Sequence, residues 1–414
     1  MDLCLWCLLF FIAVPVAVYA LAKQLTKHTD LGFAAMTMMA LDCMHFTQTR
    51  IATIDSFPVL FIILSYFFML RFIPRDIVTS PMKRLLPDLA LSGFFMGCGV
   101  ASKWIGIYAG IGLAVLYFWA CARALRVGMD SARMLRSGDE LTADEQDLLT
   151  KRDRPAMRRV ICLCLWCLLF FVAVPLAIYL GSYIVHYQAR EVNGIVDWLR
   201  LVWQTQVNIL NYHGTPGLGM DHAYYSPWYE WFTMQTPMYY ASPSFTPDGW
   251  RYAIYCFGNP VVWYGGLAGL MYVALRWVRN HLCSLPDGGT ALRLRASTWC
   301  VSPAFVLIGF AAQILPWVLV PRGTYIYHYF ASVPFLILAL VLGLNSLYSR
   351  RGKSGLVVTV LILAAALVMF VYLFPYASGV LSPSWWMDSI RNYPWTGGWL
   401  GELMQAIPLV PNVW

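Results

Sequence analysis

Apolar runs long enough to cross about 30 Å of hydrocarbon recur along the whole chain, and nothing else in the sequence constrains its fold as strongly. They lie near 3–22, 32–47, 55–72, 88–102, 105–122, 161–185, 259–277, 299–320, 327–348 and 355–376. With 59% of residues hydrophobic and 12% charged, the 414 residues have too few charges to coat a soluble globule. The expectation is an all-α polytopic membrane protein of about ten transmembrane helices. A soluble dinucleotide-binding or barrel enzyme is excluded, and the net charge of +8 reports topology before it reports nucleic acid.

Basic residues alternate between connections. Lys23 and Lys27, the group from Arg71 to Arg84, the many between Arg123 and Arg159, those from Arg276 to Arg295, and Arg350 to Lys353 fall on every second connection. The positive-inside rule makes these cytoplasmic and both termini external. Arg50, Lys103, Arg190, Arg200, Arg251, Arg322 and Arg391 then lie at or beyond the outer face, where a cation needs a reason. The chain divides accordingly into five spans (1–122), a charged cytoplasmic linker (123–160), a span (161–185), an aromatic-rich outer loop with short helices of its own (186–258), four spans (259–377) and an outer tail (378–414).

Residues 3–20, LCLWCLLFFIAVPVAVYA, return as 163–180, LCLWCLLFFVAVPLAIYL, with 14 of 18 positions identical at an offset of 160. The two copies are expected to cross in opposite directions. A recombination or assembly artefact, a remnant gene and a genuine repeat all fit this observation. Met1-Asp2 supplies no basic region ahead of the first span, so a preceding segment is expected to be missing. Each copy carries a Cys-x-x-Cys, Cys4/Cys7 and Cys164/Cys167, read as structural because it lies within an apolar span, and no disulfide framework is expected.

Four polar groupings at outer boundaries ask for chemistry. Arg50, with Asp55 five residues on, offers a guanidinium to a phosphate at headgroup depth, or else a snorkelling ion pair. Lys103 adds a second cation at the turn of a tight hairpin. Pro316-Trp317 through Tyr329 brings Arg322, Tyr327 and His328 to one helix-broken connection. His222 to Trp231, with Ser226, Trp228 and Glu230, sets aromatic rings beside hydroxyl partners, a composition suited to a sugar or a peptide. The anionic ligand these cations suggest is a lipid phosphate of the outer leaflet. The scattered histidines argue for no metal site, and no phosphate-binding loop or nucleophile elbow is present.

These residues resemble the protein O-mannosyltransferase family. The likeness rests on Gln48-Thr49-Arg50 with Asp55, on Ser102-Lys103-Trp104-Ile105-Gly106, on His222 through Trp231, and on Pro316-Trp317 with Arg322 and Tyr327-His328-Tyr329. The resemblance implies a type-C glycosyltransferase fold and an inverting transfer of mannose from a polyprenyl-phosphate donor to Ser or Thr hydroxyls of exported proteins, without a metal or other cofactor. It implies that Arg50 and Lys103 face the donor phosphate; Arg322 and His328 are expected to join them with Asp55 and Tyr327 in support, and His222, Ser226, Trp228 and Trp231 are expected to face sugar or acceptor. The family's base belongs to an Asp-Glu pair on the first outer loop. This chain has no such loop, so its catalytic carboxylate is unassigned and a donor-binding remnant with little activity is expected. The competing expectations are a lipid or glycan acceptor for the same donor, or a non-catalytic membrane partner of a homologous subunit. A secondary transporter fits less well, because the unusual charges gather at the outer ends of the spans.

Overall fold

The computed structural model describes residues 2–136, 146, 156–189, 194–241, 246–283 and 301–391. Much of the expected charged linker and of the outer tail, with Arg190, Arg293 and Arg295, lies outside the described residues. The side chains of Cys4 and Cys7 do so too. Among the described residues eight helices are long and apolar enough to cross a membrane, and Ser56–Phe72 is a shorter apolar one. The chain runs through α1 (Asp2–Thr26), α2 (Thr29–Ala40), α3 (Cys43–Arg50), α4 (Ser56–Phe72), α5 (Met82–Ser102) and α6 (Ile105–Arg136). After these come α7 (Ala156–Leu168), a π-turn (Leu169–Ala173), α8 (Val174–Ser182), α9 (Ile184–Ala189) and α10 (Ile195–Gly214). The C-terminal part holds α11 (Pro260–Cys283), α12 (Val301–Ile314), α13 (Val333–Arg351), α14 (Lys353–Ser378) and α15 (Ser384–Arg391).

The second expected span, 32–47, is not one helix. It breaks at Leu41-Asp42 into α2 and α3, because Asp42 leaves the helical region and its Oδ1 accepts the Met44 and His45 N–H groups at 3.1 Å each. An aspartate that caps a new helix satisfies its orphan donors and so stabilises the interruption. Its second oxygen, Oδ2, accepts from the Asn259 backbone N–H at 3.0 Å and the Trp263 indole at 2.8 Å. One fully buried carboxylate thus receives four hydrogen bonds, two of them from over two hundred residues away.

The outer connection also differs from expectation. Beyond short pieces it contains α10, a 20-residue amphipathic helix with Val196, Leu199, Trp203, Val207 and Leu210 exposed at helical spacing. After it come two small antiparallel pairs. Strand β1 (Met238–Ala241) pairs with β3 (Ile254–Cys256), and β2 (Trp250–Arg251) with β4 (Ser382–Pro383). The β1–β3 register slips between Tyr239 and Ala241, which leaves Tyr240 as the unpaired residue of a bulge.

Two compact units result. The first comprises 1–59, 203–276 and 313–414. Its centre is α13, whose residues from Val333 to Leu342 are all buried and which packs on α1, α2 and α14. The second unit comprises 60–202 and 277–312. There α5 lies against the π-turn and α8 so closely that a Cβ on Gly93 would stand 2.1 Å from the Phe170 carbonyl oxygen, and one on Gly97 2.8 Å from Pro175 Cα. The basic residues assigned to cytoplasmic ends tie this unit together. Arg71 and Arg75 both bridge to Asp88, Arg123 donates to the Ile73 carbonyl, and Arg159 donates to that of Ser80 at 2.8 Å.

Candidate functional site

Helix α3 delivers Arg50 to its own C-terminal end. The helix stops because Ala52 turns left-handed (φ 58°) and Thr53 caps the Gln48 carbonyl with both its N–H (3.1 Å) and its hydroxyl (2.9 Å). Arg50 is exposed on that turn and carries no hydrogen bond or ion pair to a described residue. Beneath it α3 is wholly committed. His45 Nε2 meets the Phe11 carbonyl at 3.2 Å, Thr49 bonds His45 and Ser56, and Thr47 donates to the Tyr255 and Ala377 carbonyls. The cation is free while its platform is fixed.

Gln48, completely buried, accepts hydrogen bonds at Oε1 from Tyr240 (3.0 Å) and Thr53 (3.2 Å), while its Nε2 has no described partner. The bulge in β1 aims Tyr240 at this point. Burial, then the neighbouring Cys256 and Asp55, pushes the Tyr240 hydroxyl far above its ordinary range, so it is a neutral donor. Asp55 is 6% exposed and lies beside Tyr240 and Tyr327. The structure therefore brings Asp55 and Tyr327 together with Tyr240, which sequence reading missed. Tyr240 sits 192 residues from Gln48 in an otherwise ordinary Tyr-rich stretch, and only the bulge singles it out.

The remaining expected donor residues are differently placed. Arg322 is half-buried, donating from Nε to His213 at 2.9 Å and from a terminal nitrogen to the Gly323 carbonyl, with its guanidinium over the Tyr212 ring. His328 is 3% exposed and uses Nδ1 on the Tyr325 backbone, between the rings of Trp317 and Tyr327. Lys103 caps α5 in extended conformation within the second unit.

Of the residues expected to face sugar or acceptor, Ser226 and Trp231 are buried against each other. The indole N–H donates to the Ser226 hydroxyl at 3.0 Å and to its carbonyl at 3.1 Å. They hold a turn and have no surface to offer. His222 is exposed and Trp228 half-exposed. This turn docks on the Pro321–Tyr325 strap through Gly217 N–H to Pro321, Gly323 N–H to Leu218, Ser226 N–H to Thr324 and the Thr324 hydroxyl to Ser226. Gly323 is required there, since a Cβ would lie 2.4 Å from the Gly219 oxygen.

The first unit also contains an open cleft of about 620 Å³. Tyr224, Tyr255 and Tyr376 form one wall, Gln235 and Thr236 contribute polar groups, and the Arg251–Asp388 ion pair forms part of the rim. Behind Thr236 stands Glu230, whose Oε2 accepts the threonine hydroxyl at 3.1 Å and whose carboxyl is held above the usual range by burial.

Two family models account for nearly the whole chain. Residues 1–189 match dolichyl-phosphate-mannose-protein mannosyltransferase, and 198–399 match the C-terminal four-span region of protein-O-mannosyltransferase. The chain belongs to the protein O-mannosyltransferase family. It is 22% identical to the polyprenol-phosphate-mannose–protein mannosyltransferase of Mycolicibacterium smegmatis, over 94% of this chain and 75% of that one. To the protein of the same name from Corynebacterium glutamicum it is 23% identical, over 91% and 74%. Among solved structures, the S. cerevisiae protein O-mannosyltransferase Pmt1-Pmt2 complex bound to the sugar donor superposes with a TM-score of 0.73 at 12% identity, covering 97% of this chain and 82% of that one. At that identity the superposition establishes the fold, the type-C bundle expected for this mannosyltransferase family.

Proposed function

We propose that this protein is a membrane glycosyltransferase that moves mannose from a polyprenyl-phosphate donor to Ser or Thr hydroxyls of exported polypeptides, on the extracytoplasmic face of the cell membrane. The observation that carries this reading is the pair of mannosyltransferase family models spanning both halves of the chain. In the reaction the bond from the sugar's anomeric carbon to the phosphate oxygen breaks, the bond to the acceptor oxygen forms with inversion, and the acceptor's proton passes to a general base, a role to which no carboxylate among the described residues is assigned. A hydroxyl is a poor nucleophile at neutral pH, so departure of the lipid phosphate has to be made easy. Preorganised cations aimed at that phosphate do this.

Arg50 suits the task because its helix is clamped and its guanidinium is uncommitted. Lys103, the second cation expected from the sequence, belongs to the second unit. Arg322 and His328, bonded to His213 and to Tyr325, act as positioning residues for the outer strap. His222 and Trp228 are the two residues of the outer turn left to meet sugar or acceptor. A homologous subunit is part of the proposal and is checked by co-purifying two differently tagged copies.

The test is to supply membranes containing the chain with polyprenyl-phosphate [3H]mannose and a Ser/Thr peptide, then partition the products. Label in the peptide, lost in Arg50→Ala, is the expected result. Label confined to the organic phase would replace the protein acceptor with a lipid one, and no label in either phase would overturn the reading.

A further inference from the structure

Helix α10 has three longitudinal surfaces of different character. Val202 is buried, with Leu201, Thr205, Gln206 and Ile209 half-buried beside it, and this face lies against the protein. Val196, Leu199, Trp203, Val207 and Leu210 form a second, exposed stripe about 100° around the helix from Val202. Trp203 stands at its middle, 70% exposed. Asp197, Arg200, Gln204, Asn208 and Asn211 make the third surface, also exposed, and its two charges pair at 2.9 Å. A helix with an apolar stripe and a polar stripe both left uncovered by the protein is built to lie along a boundary between two solvents.

The position of α10 along the chain says what the apolar solvent is. The preceding segment, Ala156–Ala189, is long and apolar enough to cross a membrane, and little of it is buried within the structure. Towards its end Leu176, Ile184 and Val185 are exposed, and exposed Ile195 and Val196 continue this apolar surface into α10. The six residue steps from Ala189 to Ile195 reach at most about 20 Å, so α10 begins close to where that segment leaves the hydrocarbon. An indole at the centre of the stripe suits the headgroup level, where tryptophan concentrates.

We infer that α10 is an interfacial helix whose Val196–Leu210 stripe is seated about 5–10 Å into the lipid surface, at the boundary of headgroups and acyl chains. The stripe carries no charge, so zwitterionic lipid is sufficient and anionic lipid adds nothing. A second copy of the chain is a poor occupant. From Val196 to Leu210 the stripe is about 21 Å long and about 10 Å wide, roughly 200 Å², against about 800 Å² per partner in a standard interface. Seating α10 also steadies the strap beyond its C-terminal end, because His213 accepts from Arg322 and the Gly217 N–H donates to the Pro321 carbonyl.

The test uses the full chain in phosphatidylcholine nanodiscs, with p-benzoylphenylalanine placed at Leu199, Trp203 or Leu210, or at Gln204 or Asn208 for comparison. After irradiation the adducts are read by intact-protein mass spectrometry. Each form is first shown to give the monodisperse peak of the wild type, and Val207 and Asn211 replace any position that does not. Lipid adducts at least fivefold more abundant on the apolar stripe than on the polar one, and unchanged when phosphatidylglycerol is mixed in, are the expected result. Equal yields on the two stripes overturn the inference. So do adducts of twice the chain's mass from the apolar stripe, which would seat a second copy there, and a yield that depends on phosphatidylglycerol, which would put charge in place of apolar insertion. No sugar transfer is read, so the outcome is independent of the proposed function.

Discussion

At the scale of single residues the candidate site separates groups that are held from groups that are available. Arg50 is available, and Arg50→Ala should lower kcat by about 10² to 10³ at saturating donor, the cost of removing one preorganised donor from a developing anion. Ser226 and Trp231 are held, so Ser226→Ala should lower stability by about 0.5–1.5 kcal/mol, the cost of one hydrogen bond when the buried indole N–H keeps the backbone carbonyl as its second acceptor, with KM values unchanged in folded enzyme. Glu230 gives a pH signature. Its carboxyl is raised by burial, with the Thr236 hydrogen bond opposing. A folded value above the unfolded one means that the favourable contribution exists while the acid is protonated and is lost as pH rises through the folded value. Glu230→Gln should therefore raise the unfolding midpoint at pH 7 and leave it unchanged near pH 4, below the ordinary 4.5. Equal midpoints at both values would count against this account. Sequence reading found the cation at Arg50, because a charge at the end of an apolar run is conspicuous. It did not find Tyr240, because a β-bulge has no signature in a run of tyrosines, and it could not separate Ser226 from a ligand-facing serine, because burial of a turn is decided by the strap that covers it.

At the scale of elements, the repeated segment shows how far local sequence reaches. In α1 it is an unbroken α-helix through Pro15, whereas the second copy opens into a π-turn at Leu169–Ala173 before Pro175. Proline removes a donor and crowds the preceding turn in both copies. Only the second is approached by the α5 backbone at Gly93 and Gly97. Hydropathy located both copies, and their helix type was decided by a neighbour 70 residues away or more. Gly93→Val should consequently abolish folding of the second unit, read as loss of the monodisperse peak in detergent, while a Cβ on Gly181, which meets nothing within 4 Å, should be silent. The Asp42 break was hidden for a related reason, since an aspartate inside an apolar run reads as a tolerated polar residue until its partners at Asn259 and Trp263 are known.

At the scale of the whole molecule, family membership and fold were legible because ten apolar runs and four ordered motifs are global properties that survive local error. The division into units was not, since the first unit gathers segments from both ends and the middle of the chain. That interleaving has a consequence for how the protein is made. Asp42 leaves the ribosome 217 residues before Asn259. At about 5–20 residues per second the carboxylate waits on the order of 10–40 s for its partners. During that interval the nascent chain carries an unsealed acidic group within membrane-inserting sequence, a natural target for membrane chaperones and quality-control proteases. Chains released after residue 258 should be degraded faster in pulse-chase than chains released after residue 283, which carry both the Asn259 amide and the Trp263 indole.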